Sequence, residues 1–125
     1  MLVDTDVLIW YMRGNLKARK IIERLDGFTV SAVTYMELVQ GLRNNRELAI
    51  LKKAFRDWDT RIVHIDEAVS VRAMFLVEQH YLSGSLMLAD ALIAATAVSS
   101  GLKLLTGNVK HYRVIKDLQI EGFKP

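Results

Sequence analysis

Two hydrophobic rhythms alternate along the chain. Short runs rich in apolar and β-branched residues occur at 1–4, 28–31, 61–65 and 103–106, with a weaker one at 118–123. Runs of this length and composition predict strands. Between them, apolar residues recur at helical spacing over 5–12, 16–25, 33–44, 46–58, 67–82 and 89–100. Strands alternating with helices predict a mostly parallel sheet covered on both faces, and such sheets take their ligands beyond the carboxyl ends of the strands. The segment at 89–100 is apolar on every side, which predicts a buried helix.

Composition narrows this picture. A chain of 125 residues, 51% of them hydrophobic, suits one domain, 1–125, with a core large enough to need no staples. Disorder and disulfide scaffolds are excluded. Seven Gly and one Pro are too few for a turn-rich β-sandwich. The absence of Cys excludes thiolate metal sites and Cys nucleophiles and fits a reducing compartment. The opening MLVDTD carries Asp4 and Asp6 where a secretory signal needs a basic start. The longest apolar stretch, 91–98, is far short of the ~20 residues that span a bilayer, so a cytoplasmic protein is expected. A net charge of +3 and a pI ≈ 9.3 lean mildly towards polyanionic partners.

The candidate chemistry lies in the acids. Asp4 closes the first apolar run at the mouth of the next helix, where it serves equally well as an N-cap or as part of a site. Asp6 lies in the first helical turn and complements the macrodipole there. Glu37 sits in the largely apolar SAVTYMELVQGL. A capping box over Thr34-Tyr35-Met36-Glu37 would explain it, but a helix starting just after Ser31 puts Glu37 beyond the first turn. Asp90 opens the apolar ADALIAATAV, where a buried carboxylate requires hydrogen bonds, a cation or a metal. Thr106 and Asn108 end the KLLTGN run; a turn explains Gly107-Asn108, and their oxygens are also hard donors able to hold a water on a metal. Three carboxylates without His or Cys select Mg2+ or Mn2+ rather than zinc. His64 and His80 fit structural or solvated roles, and His111 lies near the acids.

With those residues in place, the chain resembles the PIN-domain nuclease family, and within it the VapC-type toxins of toxin–antitoxin pairs. The matching stretches are LVDTDVLIWYMRGN, SAVTYMELVQGL, LADALIAATAVSSGLKLLTGN and VKHY, in family order and at family spacing. The resemblance implies a three-layer α/β/α sandwich with a mostly parallel central sheet and Mg2+-dependent endoribonuclease activity in which Mn2+ substitutes. Asp4, Glu37 and Asp90 would be the catalytic, metal-binding acids, with Thr106, Asn108 and Asp6 in support. The family often has a fourth acid where this chain has Asn108, which leaves one or two metal ions open. The resemblance also implies a homodimer and a cognate antitoxin whose tail covers the active-site groove. Leu48, Leu51, Phe55 and Trp58 form an apolar stripe at helical spacing, with Trp10 and Tyr11 nearby; it serves either as a seat for that tail or as ordinary core. Arg13, Lys17, Arg43, Lys110 and Arg113 lie near the motifs as candidate RNA contacts.

Three other readings compete. Asp4-Thr5-Asp6 followed by Val7-Leu8 also matches the opening motif of haloacid-dehalogenase-like phosphatases, but the acidic pair that must follow their Thr is missing after Thr106. A response-regulator receiver would use Asp66 as phosphoacceptor and needs a Lys that Lys124 matches poorly. A PIN-like module that binds RNA or protein without cutting differs from the nuclease only in activity.

Overall fold

The computed structural model describes all residues, Met1–Pro125. The chain runs β1 (Leu2–Val3), α1 (Thr5–Met12), α2 (Leu16–Arg24), β2 (Thr29–Ser31), α3 (Ala32–Gln40) and α4 (Asn45–Asp57). It continues through β3 (Arg61–Val63), α5 (Glu67–His80), α6 (Leu88–Ser100), β4 (Leu104–Thr106), α7 (Val109–Tyr112) and β5 (Ile120–Gly122). The sheet order is β3-β2-β1-β4-β5 and every neighbouring pair is parallel. The expected α/β fold with a parallel central sheet is therefore the one observed.

Alternation along the strands divides the interior into two cores, because successive side chains leave a strand on opposite faces. Leu2 and Leu104 enter one core with Val69 and Leu76 of α5 and Ile93, Ala94 and Ala97 of α6. Val3 and Leu105 enter the other with Val7 and Leu8 of α1, Ile22 of α2, and Leu51 and Phe55 of α4. Helix α3 serves both, through Val33 and Leu38. In α6 the buried positions include Ala91, Ala94, Ala95 and Ala97, and these small side chains let α5 and the sheet approach closely. The apolar helix expected at 89–100 is thus a buried one.

Element types agree with the hydrophobic pattern, while some boundaries move. Helix α3 stops at Gln40 rather than reaching Asn44, because the Asn44 side chain caps the next helix by accepting from the Glu47 N–H at 2.9 Å. Such side chains compete with helix continuation and favour caps. The four-residue α7 was not expected, being too short for any periodicity to show. The stripe on α4 is mostly core: Leu51 is 2% exposed and Phe55 8%, and Trp58 packs tilted against Phe55 and Phe28.

Strand order gives the chain a switch point, since connections leave β1 towards β2 on one side while β4 lies on the other. Asp4 and Thr106 lie at the carboxyl ends of these two neighbours, with Val3 paired to Leu105. This is the crevice in which open parallel sheets bind ligands. The dense α5–α6 packing has a direct consequence. Ala94→Leu inserts side-chain atoms where none fit and is expected to cost about 1–3 kcal/mol, read as a lower urea midpoint with an unchanged m value.

Candidate metal centre

Asp4 is the most buried of the acids, 4% exposed. It is the N-cap of α1, its Oδ1 accepting from the Thr5 N–H at 2.8 Å, and its Oδ2 accepts from the Thr106 hydroxyl at 2.8 Å. The cap and site readings are therefore compatible at this residue. Burial, then the charges of Asp6 and Asp90, push the Asp4 carboxyl up to about 7, against the two hydrogen bonds. A carboxyl with that value is substantially protonated near neutrality when nothing else neutralises it.

Asp6 turns from the first turn of α1 towards the end of β4, and its Oδ2 accepts from the Gly107 N–H at 2.9 Å. Its Oδ1 is buried without a hydrogen-bond partner, and burial raises its pKa as well. Gly107 has to be glycine for this contact: a Cβ there would stand 2.6 Å from Asp6 Oδ2 and 3.4 Å from the Phe123 carbonyl oxygen.

Asp90 lies in the first turn of α6 with its side chain 19% exposed, so it sits at the mouth of the buried helix rather than inside it. Its Oδ2 accepts from the Met87 N–H at 3.2 Å and its Oδ1 from the Tyr112 hydroxyl at 3.3 Å. Tyr112 is fully buried, and burial together with the Asp4 and Asp90 charges drives its pKa far up, so it remains a neutral donor. Glu37 faces the same end of the sheet from α3, its Oε1 accepting from the Thr5 hydroxyl at 2.7 Å. The N-cap of α3 is Ser31, so the Thr34 capping box does not form. Thr34 instead takes part in a contact with the Thr5 hydroxyl at 3.0 Å.

The structure thus brings Asp6 and Asp90 close enough to Asp4 for their like charges to act on it, each acid held by its own hydrogen-bond donors, with Glu37 joined through Thr5. Asn108 is exposed and engages the cluster only through its N–H, which donates to the Thr106 hydroxyl at 2.9 Å. Thr5 and Tyr112 are the parts that sequence reasoning missed. For Thr5 the signal lay between the two acids; VKHY carried Tyr112, but nothing in the spacing tied it to Asp90.

The donor set suits a hard cation: oxygens only, and one buried carboxylate oxygen left over. No three acids stand close enough to close around one ion by themselves. Mg2+ keeps several waters and takes only one or two carboxylates directly, so a partly hydrated cation fits the arrangement.

Of the cationic candidates, Arg13 and Arg43 line a groove of ≈ 800 Å³ that also contains Glu37, Tyr11, Ile50 and Trp58. Arg43 is held there by Glu47 at 3.0 Å. Arg19, not singled out from the sequence, belongs to the same groove. Lys110 lines a separate cleft beside Gly107, and Lys17 and Arg113 are exposed on the surface.

This fold and this acid cluster together define a class. The PIN domain family model matches residues 1–117, and the chain belongs to the PIN-domain family. Ribonuclease VapC10 of Mycobacterium tuberculosis is 34% identical across the whole of this chain and 98% of that protein. A toxin-antitoxin complex from Klebsiella pneumoniae contains a chain that is 26% identical, covering 94% of this chain and 93% of that one with a TM-score of 0.75. DNA-bound VapBC from Salmonella typhimurium, at 23% identity, shares the fold over 97% and 96% of the two chains with a TM-score of 0.83. Membership removes the phosphatase and receiver readings, and at Asp66 the geometry agrees with removing the latter, since its carboxylate caps α5 by accepting from the Val69 N–H at 2.9 Å.

Two outcomes follow from the buried acids. The raised pKa of Asp4 means that the folded protein holds a proton that the unfolded chain releases near pH 3.8. Without cation, stability therefore falls as pH rises from about 4 to 7. Asp4→Asn stays neutral throughout, so in EDTA its melting temperature should gain on the parent's as pH rises; a constant difference would exclude the shift. Gly107→Ala drives a methyl group into Asp6 and should lower stability by about 1–3 kcal/mol in urea titrations.

Proposed function

We propose that this chain is a divalent-cation-dependent endoribonuclease and the toxin of a type II toxin–antitoxin pair, working as one domain over 1–125. The observation that carries the reading is the oxygen-only acid cluster at the switch point, built around the buried Asp4, with an unpartnered carboxylate oxygen on Asp6. Its nature as a ribonuclease is supported by the full-length similarity to a named ribonuclease.

In this reading Asp4, Glu37 and Asp90 hold Mg2+ or Mn2+, and Asp6, Thr106 and Asn108 support them. A bound cation of this kind neutralises charge on the phosphodiester and acidifies a water. The protein's part is positioning. Thr106 and the Thr5 N–H fix the two oxygens of Asp4, the Thr5 hydroxyl fixes Glu37, and Tyr112 holds Asp90. Arg13, Lys17, Arg43, Lys110 and Arg113 are the candidate cations for the RNA strand, since backbone contacts carry most of such affinity.

The antitoxin reading is supported by the toxin–antitoxin relative and by the groove beside Glu37, which combines Ile50 and Trp58 with Arg13 and Arg43. Such a lining suits an apolar segment that also carries carboxylates. The homodimer belongs to the same proposal: Val71, Met74 and Phe75 on α5 are 59%, 61% and 57% exposed, and large exposed apolar patches mark association surfaces. The non-cutting alternative rests on the exposed amide of Asn108, where an additional acid is common in the family.

Purified protein is expected to cut single-stranded RNA in Mg2+ or Mn2+ and to stop in EDTA. Asp90→Asn should abolish cutting while leaving metal-free stability unchanged or up by on the order of 1 kcal/mol, because it removes one of several like charges at constant shape. Mn2+ should raise the parent's melting temperature more than the variant's. Cutting that persists in EDTA would refute the cation reading, and RNA binding without product would favour the non-cutting module.

A further inference from the structure

Beyond the acids, the carboxyl ends of β4 and β5 enclose a cleft of ≈ 550 Å³ whose lining includes Asn108 and Lys110 but which has no assigned ligand of its own. Its only charged or titratable lining residues are Lys110, His111 and Lys124, and no carboxylate belongs to it. The ion pairs of the chain are Arg43–Glu47, Lys53–Asp57, Lys103–Glu121 and the looser His111–Asp90 contact. Both lysines of the cleft are therefore free of an acidic partner. The walls stand close because two positions lack side chains: a Cβ on Gly122 would meet Val109 Cγ2 at 3.3 Å, and one on Gly107 would strike Asp6.

Cleft and acid cluster share an edge. Gly107 lines the cleft while its N–H donates to Asp6, and His111 Nδ1 stands 3.7 Å from Asp90 Oδ2. Acids that suit a cation thus adjoin lysines that suit an anion. Phe123, the one aromatic ring other than His111 in the lining, is 6% exposed and offers no face on which a base could stack, which favours a phosphate over a nucleobase. Lysine binds phosphate as a compact point charge without demanding one geometry, and such contacts set the register of a nucleic acid without reading its sequence.

We propose that this cleft binds the RNA phosphate that flanks the scissile one, with Lys110 and Lys124 holding it and His111 bridging the cleft and the acid cluster. The inference rests on the ribonuclease reading for the position of the scissile phosphate, and it gives Lys124 a positioning role. A strand anchored there enters the acid cluster in a fixed register.

The test separates binding from cutting. Fluorescence anisotropy of a labelled single-stranded RNA in EDTA, over a salt series, compares the parent with Lys110→Ala/Lys124→Ala and with Lys52→Ala, an exposed control on α4. The double variant should lose about 0.7 from the slope of log affinity against log salt, the share of one neutralised phosphate on a single strand, while the control keeps the parent's slope. In Mn2+ the double variant should raise KM several-fold at nearly constant kcat. An RNA shortened to end at the scissile phosphate on the correct side should erase that difference. If the parent cuts RNA and the double variant matches it in slope and KM, the cleft is not a phosphate site and the ribonuclease reading stands. If nothing cuts but the slope difference persists, the phosphate site stands and the cleavage reading falls. A parent that does not bind RNA overturns both.

Discussion

The structure turns on the burial of Asp4. A carboxylate that is 4% exposed survives only if its oxygens find partners, and those partners come from two places: the N–H that opens α1 and the Thr106 hydroxyl at the end of β4. The second depends on register. Val3 stands beside Leu105, so the residues that follow each of them emerge together at the sheet's end. A slip of one residue would turn Thr106 to the opposite face and send Leu104 and Leu105 into the wrong cores. The packing that divides Leu2 from Val3 is thus also what delivers a hydroxyl to Asp4.

The rest of the cluster is built outwards from that pair. Thr5, one residue beyond Asp4, donates its N–H to the Asp4 cap and its hydroxyl to Glu37, so the cap of α1 and an acid of α3 are tied through one residue. Gly107, one residue beyond Thr106, fixes Asp6. Taking these carboxylates out of water opposes folding, with the charges of Asp6 and Asp90 adding to it at Asp4, and the raised pKa values of Asp4 and Asp6 are the record of that opposition. The two apolar cores on either side of the sheet carry the destabilised centre. Such strain is expected where groups are arranged for a ligand rather than for stability.

Much of this was legible in the sequence. Short apolar, β-branched runs and helical runs locate every strand and all but the shortest helix, and Asp4, Asp90 and Thr106 stand out because a carboxylate or hydroxyl ends or opens an apolar segment. Other parts were hidden because their meaning is tertiary. Asp6 reads as a dipole complement until Gly107 is seen beside it, and Thr5 reads as an ordinary first-turn residue until α3 packs across. The α4 stripe shows the limit from the other side: helical spacing marks Leu51, Phe55 and Trp58 as one face, but only packing decides that Leu51 and Phe55 are buried and that Ile50, off the stripe and 60% exposed, joins Leu51 and Trp58 in the groove lining.

At Asp90 the cap and the proposed ligand role are compatible. As a first-turn residue its carboxylate accepts from the Met87 N–H, which is the capping reading, and the same carboxylate faces Tyr112 and the charge of Asp4. Both bonds, at 3.2 and 3.3 Å, are longer than the usual 2.7–2.8 Å for hydroxyl donors and about 2.9–3.0 Å for amides, and the side chain keeps 19% of its surface open. A carboxylate so loosely held can turn a lone pair towards a cation at little cost, because the helix N-terminus favours negative charge in either orientation. Asp4 is the opposite case, with two bonds of 2.8 Å in full burial. The cluster therefore pairs a rigidly held acid with a looser one, and under the proposed cation reading that division would let a hydrated ion of exacting geometry be met without the whole site being built to its shape.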